Sequence, residues 1–204
     1  MNKFKQILIL SAAVLIAFSN SACTKENPAP QGKPGLMASA SGNVAESSNA
    51  KVYAVESIGA VKSGKATDFK FKIDGKEQSF SELTKGKTVF LNFWGTWCGP
   101  CRREIPDIIE ISKDLSNKNF IVIGMALERE PELIDRIKKV KDFANTKGIP
   151  YMIFIANTEI IDAYGGISAV PTTFIIDGKG AIAETIVGSR GKDDFMKSIN
   201  RVLK

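Results

Sequence analysis

Histidine is absent from this 204-residue chain, and cysteine occurs only three times. The lack of histidine excludes imidazole as a general base, as a partner for a nucleophilic cysteine, and as a ligand of a metal or a haem iron. A structural zinc site normally takes about four cysteine or histidine ligands, which is more than this chain can supply. We therefore expect neither a metal nor another bound cofactor.

A large excess of charge of one sign is also missing. The formal net charge is +6, and it falls to +4 when Lys3 and Lys5 leave with the N-terminal segment discussed below. The lysines are interspersed with acidic residues, and no basic patch carries interleaved aromatic residues, so we expect no nucleic-acid partner. Hydrophobic residues make up 44% of the chain and charged residues 25%, which is the balance of an ordinary globular protein.

The first 22 residues are typical of an export signal. Lys3 and Lys5 form a positively charged start, an almost wholly apolar stretch runs from Ile7 to Phe18, and small residues follow it. This stretch is shorter than the roughly 20 residues that a helix needs to cross a bilayer. We therefore predict a signal peptide over residues 1–22 and an extracytoplasmic location, in the periplasm or on the outer face of a membrane.

Cys23 comes directly after this segment. Small residues before a lone cysteine resemble a bacterial lipoprotein signal, in which the cysteine becomes the lipidated first residue. Ordinary cleavage that leaves a free Cys23, or an uncleaved anchor, are the alternatives. Residues 24–49 are rich in Pro, Gly, Ser, Ala and Asn and have no apolar period, which is typical of a flexible tether.

The stretch from Lys51 to Lys62 fits either a short strand or a continuation of the tether. We place the lipid-attachment cysteine and tether at residues 23–62 and the folded domain at residues 63–204. Within the domain, Asp68–Ile73 alternates polar and apolar residues at the period of a half-buried strand, and Asp74-Gly75 is typical of a hairpin turn.

Periodicity predicts alternating strands and helices over the rest of the domain. The predicted strands are Thr88–Phe93, Phe120–Ala126, Tyr151–Ile155, Pro171–Ile176 and Ala181–Val187, and the predicted helices are Arg102–Asp114, Pro131–Thr146, Thr158–Tyr164 and Asp193–Leu203. The alternation favours parallel strands with crossover helices, and the turn at residues 177–180 favours an antiparallel hairpin at one edge. The expected fold class is α/β, with a mixed central sheet flanked by helices.

Cys98 and Cys101 lie where a predicted strand gives way to a helix, which is a redox arrangement. The partial positive charge of a helix N-terminus favours a thiolate over a thiol, and the thiolate is the form that attacks a disulfide. We therefore interpret Cys98 as the attacking sulfur and Cys101, further into the helix, as the resolving one. A static structural disulfide is the alternative.

The run Trp94–Cys101 resembles thioredoxin, and a wider set of segments narrows the resemblance. These segments are similar to membrane-tethered, extracytoplasmic thiol–disulfide oxidoreductases of the TlpA/ResA type: Gly64–Phe69, Asp74–Lys76, Ser81–Leu83, Leu91–Trp97, Arg102–Pro106 and Val170–Asp177. The resemblance is loose between Leu127 and Lys147. It implies a thioredoxin fold with an N-terminal strand extension.

The resemblance also implies roles for individual residues. Glu104, one turn after the second cysteine, would be an active-site group that exchanges a proton with a thiol; the alternative is an exposed glutamate in an ion pair. Asn92 replaces a buried aspartate of thioredoxin. Pro171 would follow a cis peptide bond beside the cysteines, with Val170 presenting its backbone to a bound peptide. Trp97 would frame the attacking sulfur, or else simply pack on the surface.

We therefore predict an extracytoplasmic enzyme that reduces disulfides in substrate proteins. The Gly-Pro pair between the cysteines resembles reducing members of the superfamily, and a membrane thiol electron donor would restore the dithiol. The resemblance implies cytochrome c biogenesis as one setting, with apocytochrome c cysteines as substrate; repair of oxidised thiols is the other. We expect a monomer held at the membrane by its lipid anchor. Peroxide reduction and a non-catalytic, partner-binding lipoprotein are the alternatives.

Overall fold

The computed structural model describes residues 50–203. The predicted signal peptide, Cys23 and the tether up to Asn49 lie outside the described residues. No helix within the described range combines the length and the apolar character needed to cross a membrane.

The described part of the chain contains nine strands and five helices. The strands are β1 Val52–Ala54, β2 Ser57–Ile58, β3 Phe69–Ile73, β4 Lys76–Ser79, β5 Thr88–Trp94, β6 Phe120–Ala126, β7 Met152–Ile155, β8 Thr172–Ile176 and β9 Ile182–Val187. The helices are α1 Phe80–Thr84, α2 Gly99–Asp114, α3 Leu133–Lys147, α4 Thr158–Ala163 and α5 Lys192–Asn200. Their order confirms the predicted α/β class and thioredoxin fold.

The main sheet has six strands in the order β1-β7-β6-β5-β8-β9. The first four strands in this order, β1, β7, β6 and β5, run parallel to one another. Strands β8 and β9 are each antiparallel to their neighbours. Every residue of β5 is buried, as expected of a strand covered on both faces. Because β5 and β6 are adjacent and parallel, the loops that follow them meet at one edge of the sheet.

Alternate side chains of β5 enter two separate hydrophobic cores. Phe90 points into a core on the side of α2 and α5, where its ring packs edge-on against Phe195 at 4.9 Å. Phe93 belongs to the opposite core, which also contains Phe69 of β3 and Phe154 of β7. The two cores fix β5 between them, and so fix the point at which the chain leaves the sheet toward Cys98.

A second, antiparallel sheet of order β2-β3-β4 forms part of the opposite core. Phe69 and Phe71 of β3 are fully buried and pack against Phe154, with ring centroids 5.0 and 4.7 Å apart. The turn between β3 and β4 has positive φ at Asp74 (49°) and Gly75 (76°), in agreement with the predicted hairpin.

The folded domain begins earlier than predicted. Val52–Ala54 forms the edge strand β1, parallel to β7, so the domain start at Ser63 is too late and the tether boundary at residue 62 is wrong. A three-residue edge strand is too short to show a period of two, which explains the error. The helix Phe80–Thr84, capped by the Ser79 hydroxyl, was likewise not predicted.

Candidate active site

Cys98 and Cys101 are joined by a disulfide at the start of α2, with their Cα atoms 5.3 Å apart. Cys98 is the N-cap of the helix, and the backbone N–H of Cys101 lies 3.2 Å from the Cys98 sulfur, which accepts its hydrogen bond. The helix therefore begins at Gly99, three residues earlier than predicted. Cys98 is 4% exposed and Cys101 is fully buried, so Cys98 is the more accessible sulfur, although neither is open in this oxidised state.

The backbone of Val170 lies beside the Cys98 sulfur. The peptide bond between Val170 and Pro171 is cis, and the Val170 carbonyl oxygen is 3.6 Å from the sulfur. A disulfide sulfur carries no proton, so this contact is only a close approach; a thiol at Cys98 could donate to the same oxygen. The Thr172 hydroxyl donates to the Ala169 carbonyl at 2.8 Å and stabilises this loop.

Glu104 is buried one turn after Cys101, with 2% of its surface exposed. Its Oε1 accepts a hydrogen bond from Asn92 Nδ2 at 3.0 Å, and the same amide nitrogen donates to Thr173 Oγ1 at 2.9 Å. Its Oε2 has no hydrogen-bond partner among the described residues. The alternative of an exposed, ion-paired glutamate is therefore wrong.

Burial raises the pKa of Glu104 from its ordinary value to about 7. The amide of Asn92 opposes this rise, as do the Ser189 hydroxyl and the backbone and charge of Arg190, which lie near the carboxylate without forming a hydrogen bond to it. Protonated and ionised forms of Glu104 thus coexist near neutral pH. Burial and the nearby Glu104 carboxylate raise the pKa of the Tyr151 phenol, which stays protonated in this range.

The side chain of Trp97, the residue directly before Cys98, is folded back on the loop that follows β6. Trp97 is 39% exposed, and its indole Nε1 donates to the Leu127 carbonyl at 2.7 Å. The guanidinium carbon of Arg129 lies 3.8 Å from the centroid of the indole ring. A Cβ on Gly95 would come within 2.6 Å of Trp97 Nε1, so this ring position requires glycine there.

A second buried carboxylate holds the same loop. The side chain of Glu128 has no exposed surface; its Oε1 accepts from the Thr96 backbone N–H at 2.7 Å and its Oε2 from the Thr96 hydroxyl at 2.8 Å. Lys139 Nζ of α3 lies 3.2 Å from the same Oε2. The N–H of Leu127 also donates to the Trp94 carbonyl at 2.7 Å, so the segment between β5 and Cys98 is fixed to the end of β6.

The structure places the disulfide beside the Val170–Pro171 backbone, with Trp97 directly before Cys98 and Glu104 one helical turn after Cys101; the roles of these residues stay predictions. These residues are Cys98, Cys101, Glu104, Trp97, Val170 and Pro171; Cys23 lies outside the described residues. Sequence reasoning missed Thr96, Glu128 and Arg129, because resemblance is loose in this part of the chain. The predicted order of strands could have pointed to these residues, because residues that follow adjacent parallel strands meet at the same edge of the sheet.

Residues 62–203 match the model of the Redoxin family. The chain belongs to the Redoxin family. Among its relatives, the thioredoxin-like protein YneN of Bacillus subtilis (strain 168) is 32% identical over 151 residues, which are 74% of this chain and 85% of YneN. The thiol-disulfide oxidoreductase ResA of Geobacillus thermodenitrificans is 33% identical over 131 residues, 64% of this chain and 71% of ResA.

Solved structures of this redoxin's relatives agree with its fold. A thiol:disulfide interchange protein of the thioredoxin family from Chlorobium tepidum superimposes with a TM-score of 0.60 and 35% identity, over 72% of this chain and all of the other. Family, fold and the Cys98–Cys101 disulfide together show that this Redoxin-family protein is a thiol–disulfide oxidoreductase.

Proposed function

We propose that this oxidoreductase reduces disulfides in proteins outside the cytoplasm through the Cys98–Cys101 dithiol. One observation carries the proposal: the Cys98 sulfur lies at the N-terminus of α2, 3.6 Å from the Val170 carbonyl. The helix N-terminus favours the attacking thiolate, and the Val170 backbone offers an acceptor to an extended substrate segment that lies across the sulfur.

The reaction begins from the reduced enzyme. The Cys98 thiolate attacks one sulfur of the substrate disulfide, a bond forms between them, and the other substrate sulfur leaves as a thiolate. The Cys101 thiolate then attacks Cys98, the mixed disulfide breaks, and the second substrate sulfur is released. Two electrons pass to the substrate, its thiolates take up the two protons, and the enzyme ends as the Cys98–Cys101 disulfide described above.

Glu104 is the group that we assign to proton exchange with Cys101. Both residues are buried and stand one helical turn apart on α2, so no bulk water is needed between them. A pKa of about 7 suits a carboxylate that must accept a thiol proton and later return it near neutral pH. Asn92 holds one oxygen of Glu104, which leaves the unpartnered Oε2 to accept the proton.

The setting that we propose for the reaction rests on the sequence and on its family resemblance. Gly99 and Pro100 between the cysteines support net reduction, with a membrane thiol donor that regenerates the dithiol. The N-terminal 22 residues and Cys23 support export and lipid anchoring, and the protein would act as a monomer. Cysteines of apocytochrome c are one substrate class, and oxidised thiols in need of repair are the other.

Trapping of a mixed disulfide tests the proposal. In the native host, Cys101→Ser should accumulate covalent adducts through Cys98 that dissolve on addition of a thiol reductant, because the resolving step is lost. The matched variant Cys98→Ser should accumulate none and should not reduce insulin. Equal behaviour of wild type and Cys98→Ser in insulin reduction would contradict the proposal and favour a binding role.

Mass spectrometry of the mature N-terminus tests the anchor separately. The expected species begins at Cys23 and carries a diacyl or triacyl modification, and Cys23→Ser should release the protein from membranes. An unmodified N-terminus on membrane-free protein would overturn lipid anchoring and leave the disulfide chemistry unaffected.

A further inference from the structure

Arginine is distributed unevenly on this molecule. The chain contains 28 basic residues, of which only six are arginines. Four of these six lie on the three segments that border the disulfide, namely the start of α2, the loop after β6 and the loop between β9 and α5. They are Arg102, Arg103, Arg129 and Arg190, and we refer to them as the arginine rim; all four are exposed.

Contacts place three of the four rim arginines beside segments that adjoin the attacking sulfur, and Arg102 directly follows Cys101 in the chain. The guanidinium of Arg103 lies beside the turn between the cysteines, 3.7 Å from the position that a Cβ of Gly99 would take. Arg129 stacks on the indole of Trp97. Arg190 follows Ser189, whose hydroxyl approaches the Pro100 carbonyl at 3.5 Å.

The rim has no carboxylate partner among residues 50–203. None of its four members forms a salt bridge there, whereas Arg201 pairs with Glu184 at the far end of β9. Arg190 does lower the pKa of the buried Glu104 by its charge, but it makes no ion pair with that group. The charge of Arg190 also acts on Asp194 of α5, but the lowered pKa of Asp194 is due first to its hydrogen bond with Lys197. The four guanidinium groups are therefore free of ion pairs within residues 50–203.

Most acidic residues on the same three segments are already engaged or buried, and the exception is the exposed Glu132 at the N-cap of α3. Glu104 is buried, and Asp107 accepts from the backbone N–H of Lys192 at 3.1 Å. Glu128 and Glu130 both contact Lys139. The loop of residues 188–191 contains no acidic residue. The rim arginines, which form no ion pair within residues 50–203, are therefore available to carboxylates of another molecule.

We propose that the arginine rim binds acidic residues that flank the disulfide in the substrate protein, so that the enzyme prefers disulfides in acidic segments. This proposal rests on the proposed function. Guanidinium groups bind carboxylates through two parallel hydrogen bonds and keep their charge at any physiological pH, which suits a surface that selects carboxylates. An anionic membrane would fit the charge, but it would cover Cys98 and block attack on a substrate.

Two synthetic peptides test the proposal. Each carries the same intramolecular disulfide, flanked in one by aspartate and glutamate and in the other by lysine. Reduced wild-type enzyme should reduce the acidic peptide with a kcat/KM about tenfold or more above the basic one at low salt, through electrostatic steering. The ratio should approach one at about 0.5 M salt, because exposed charges are then screened.

Charge-neutral variants assign the preference to the rim. The double variant Arg103→Gln/Arg129→Gln should bring the ratio to within about threefold of one. The matched control Lys85→Gln/Lys118→Gln removes the same charge at the opposite edge of the sheet and should leave the ratio as in wild type. Both lysines are exposed and precede β5 and β6.

Each other outcome overturns the proposal. Equal rates for the two peptides, an unaltered ratio in the rim variant, or an equal loss on both peptides would show that the arginines do not select substrates. Rim-dependent binding to anionic phosphatidylglycerol vesicles without peptide preference would assign the rim to the membrane. Failure of the wild type to reduce either peptide would instead overturn the proposed function.

Discussion

Two buried glutamates flank the disulfide, and they differ in how their oxygens are satisfied. Glu128 engages both oxygens with Thr96 and has Lys139 beside it. Glu104 has one hydrogen bond from the neutral amide of Asn92, and its second oxygen has no partner among the described residues. Burial is common to both, so the partners decide the role of each carboxylate.

The two carboxylates differ in role, one being structural and the other chemical. A buried carboxylate whose two oxygens both accept hydrogen bonds, with a cation nearby, is fully partnered and holds two loops together. A buried carboxylate with an unfilled acceptor is poorly stabilised as an anion and can take up a proton. Glu128 therefore fixes the chain that leads to Cys98, whereas Glu104 is available for proton transfer.

The largest expected effect comes from loss of the structural carboxylate. Glu128→Ala leaves the N–H and hydroxyl of Thr96 without their acceptor and removes one of the two carboxylates that contact Lys139, so the free energy of unfolding should fall by about 4 kcal/mol. Urea denaturation of the oxidised protein, followed by tryptophan fluorescence, measures the loss.

The neighbouring Glu130 provides the matched control. It contacts the same Lys139, but its side chain is 28% exposed, so Glu130→Ala should cost far less stability than Glu128→Ala. Equal losses in the two variants would show that the pairing with Lys139, and not the bonds to Thr96, stabilises the loop.

At pH 8, Glu104→Gln should raise the free energy of unfolding, whereas Glu128→Ala lowers it. The pKa of Glu104 is raised in the folded protein to about 7, so the folded state binds more protons than the unfolded state between its ordinary pKa and 7. Wild-type stability should therefore fall as pH rises through this window, by about 3 kcal/mol in total, and Glu104→Gln should remove the slope and be more stable at pH 8.

The same isosteric change at the other carboxylate sharpens the contrast. Glu128→Gln should destabilise the protein at pH 8, because it removes the charge that faces Lys139.

Stopped-flow reduction kinetics test the role of Glu104 in proton transfer. Glu104→Gln should slow the resolving step, and the rate of that step should no longer depend on a group that titrates near 7. An unchanged pH–rate profile would exclude Glu104 from proton transfer.

Asn92→Asp should make the functional carboxylate still harder to ionise. The variant places a second carboxyl about 3.0 Å from Glu104 Oε1, and two carboxyls at that distance share one proton. The upper apparent pKa of the pair should exceed that of wild-type Glu104 by about one unit, equivalent to about 1.4 kcal/mol. Carbon-13 NMR titration of the carboxyl groups measures the shift, and a lower value would contradict it.

The smallest effect should come from one of the two bonds to Glu128. Thr96→Val removes the hydroxyl donor at 2.8 Å but keeps the backbone N–H bond and the shape of the side chain. We expect a loss of about 1 kcal/mol in unfolding free energy and unchanged pH dependence of reduction. A shift of the pH profile would mean that the two carboxylates are coupled.

The order of elements in the domain could be predicted from the sequence because long buried strands and amphipathic helices carry a clear period. The bounds of Phe120–Ala126 agree with the prediction, whereas Val52–Ala54 was too short to be recognised. The reacting pair was predictable from its spacing and from the helix that follows. The partners of Glu104 and Glu128 were not, since they join residues 12 and 32 positions apart and depend on the sheet register.

The edge strand β1 also sets the direction in which the molecule faces. Because β1 runs parallel to β5, its first residue, Val52, lies at the end of the sheet opposite to Cys98. The described chain therefore enters the domain at the end of the sheet remote from the reactive sulfur, and β1 covers the edge of β7 without approaching the redox site.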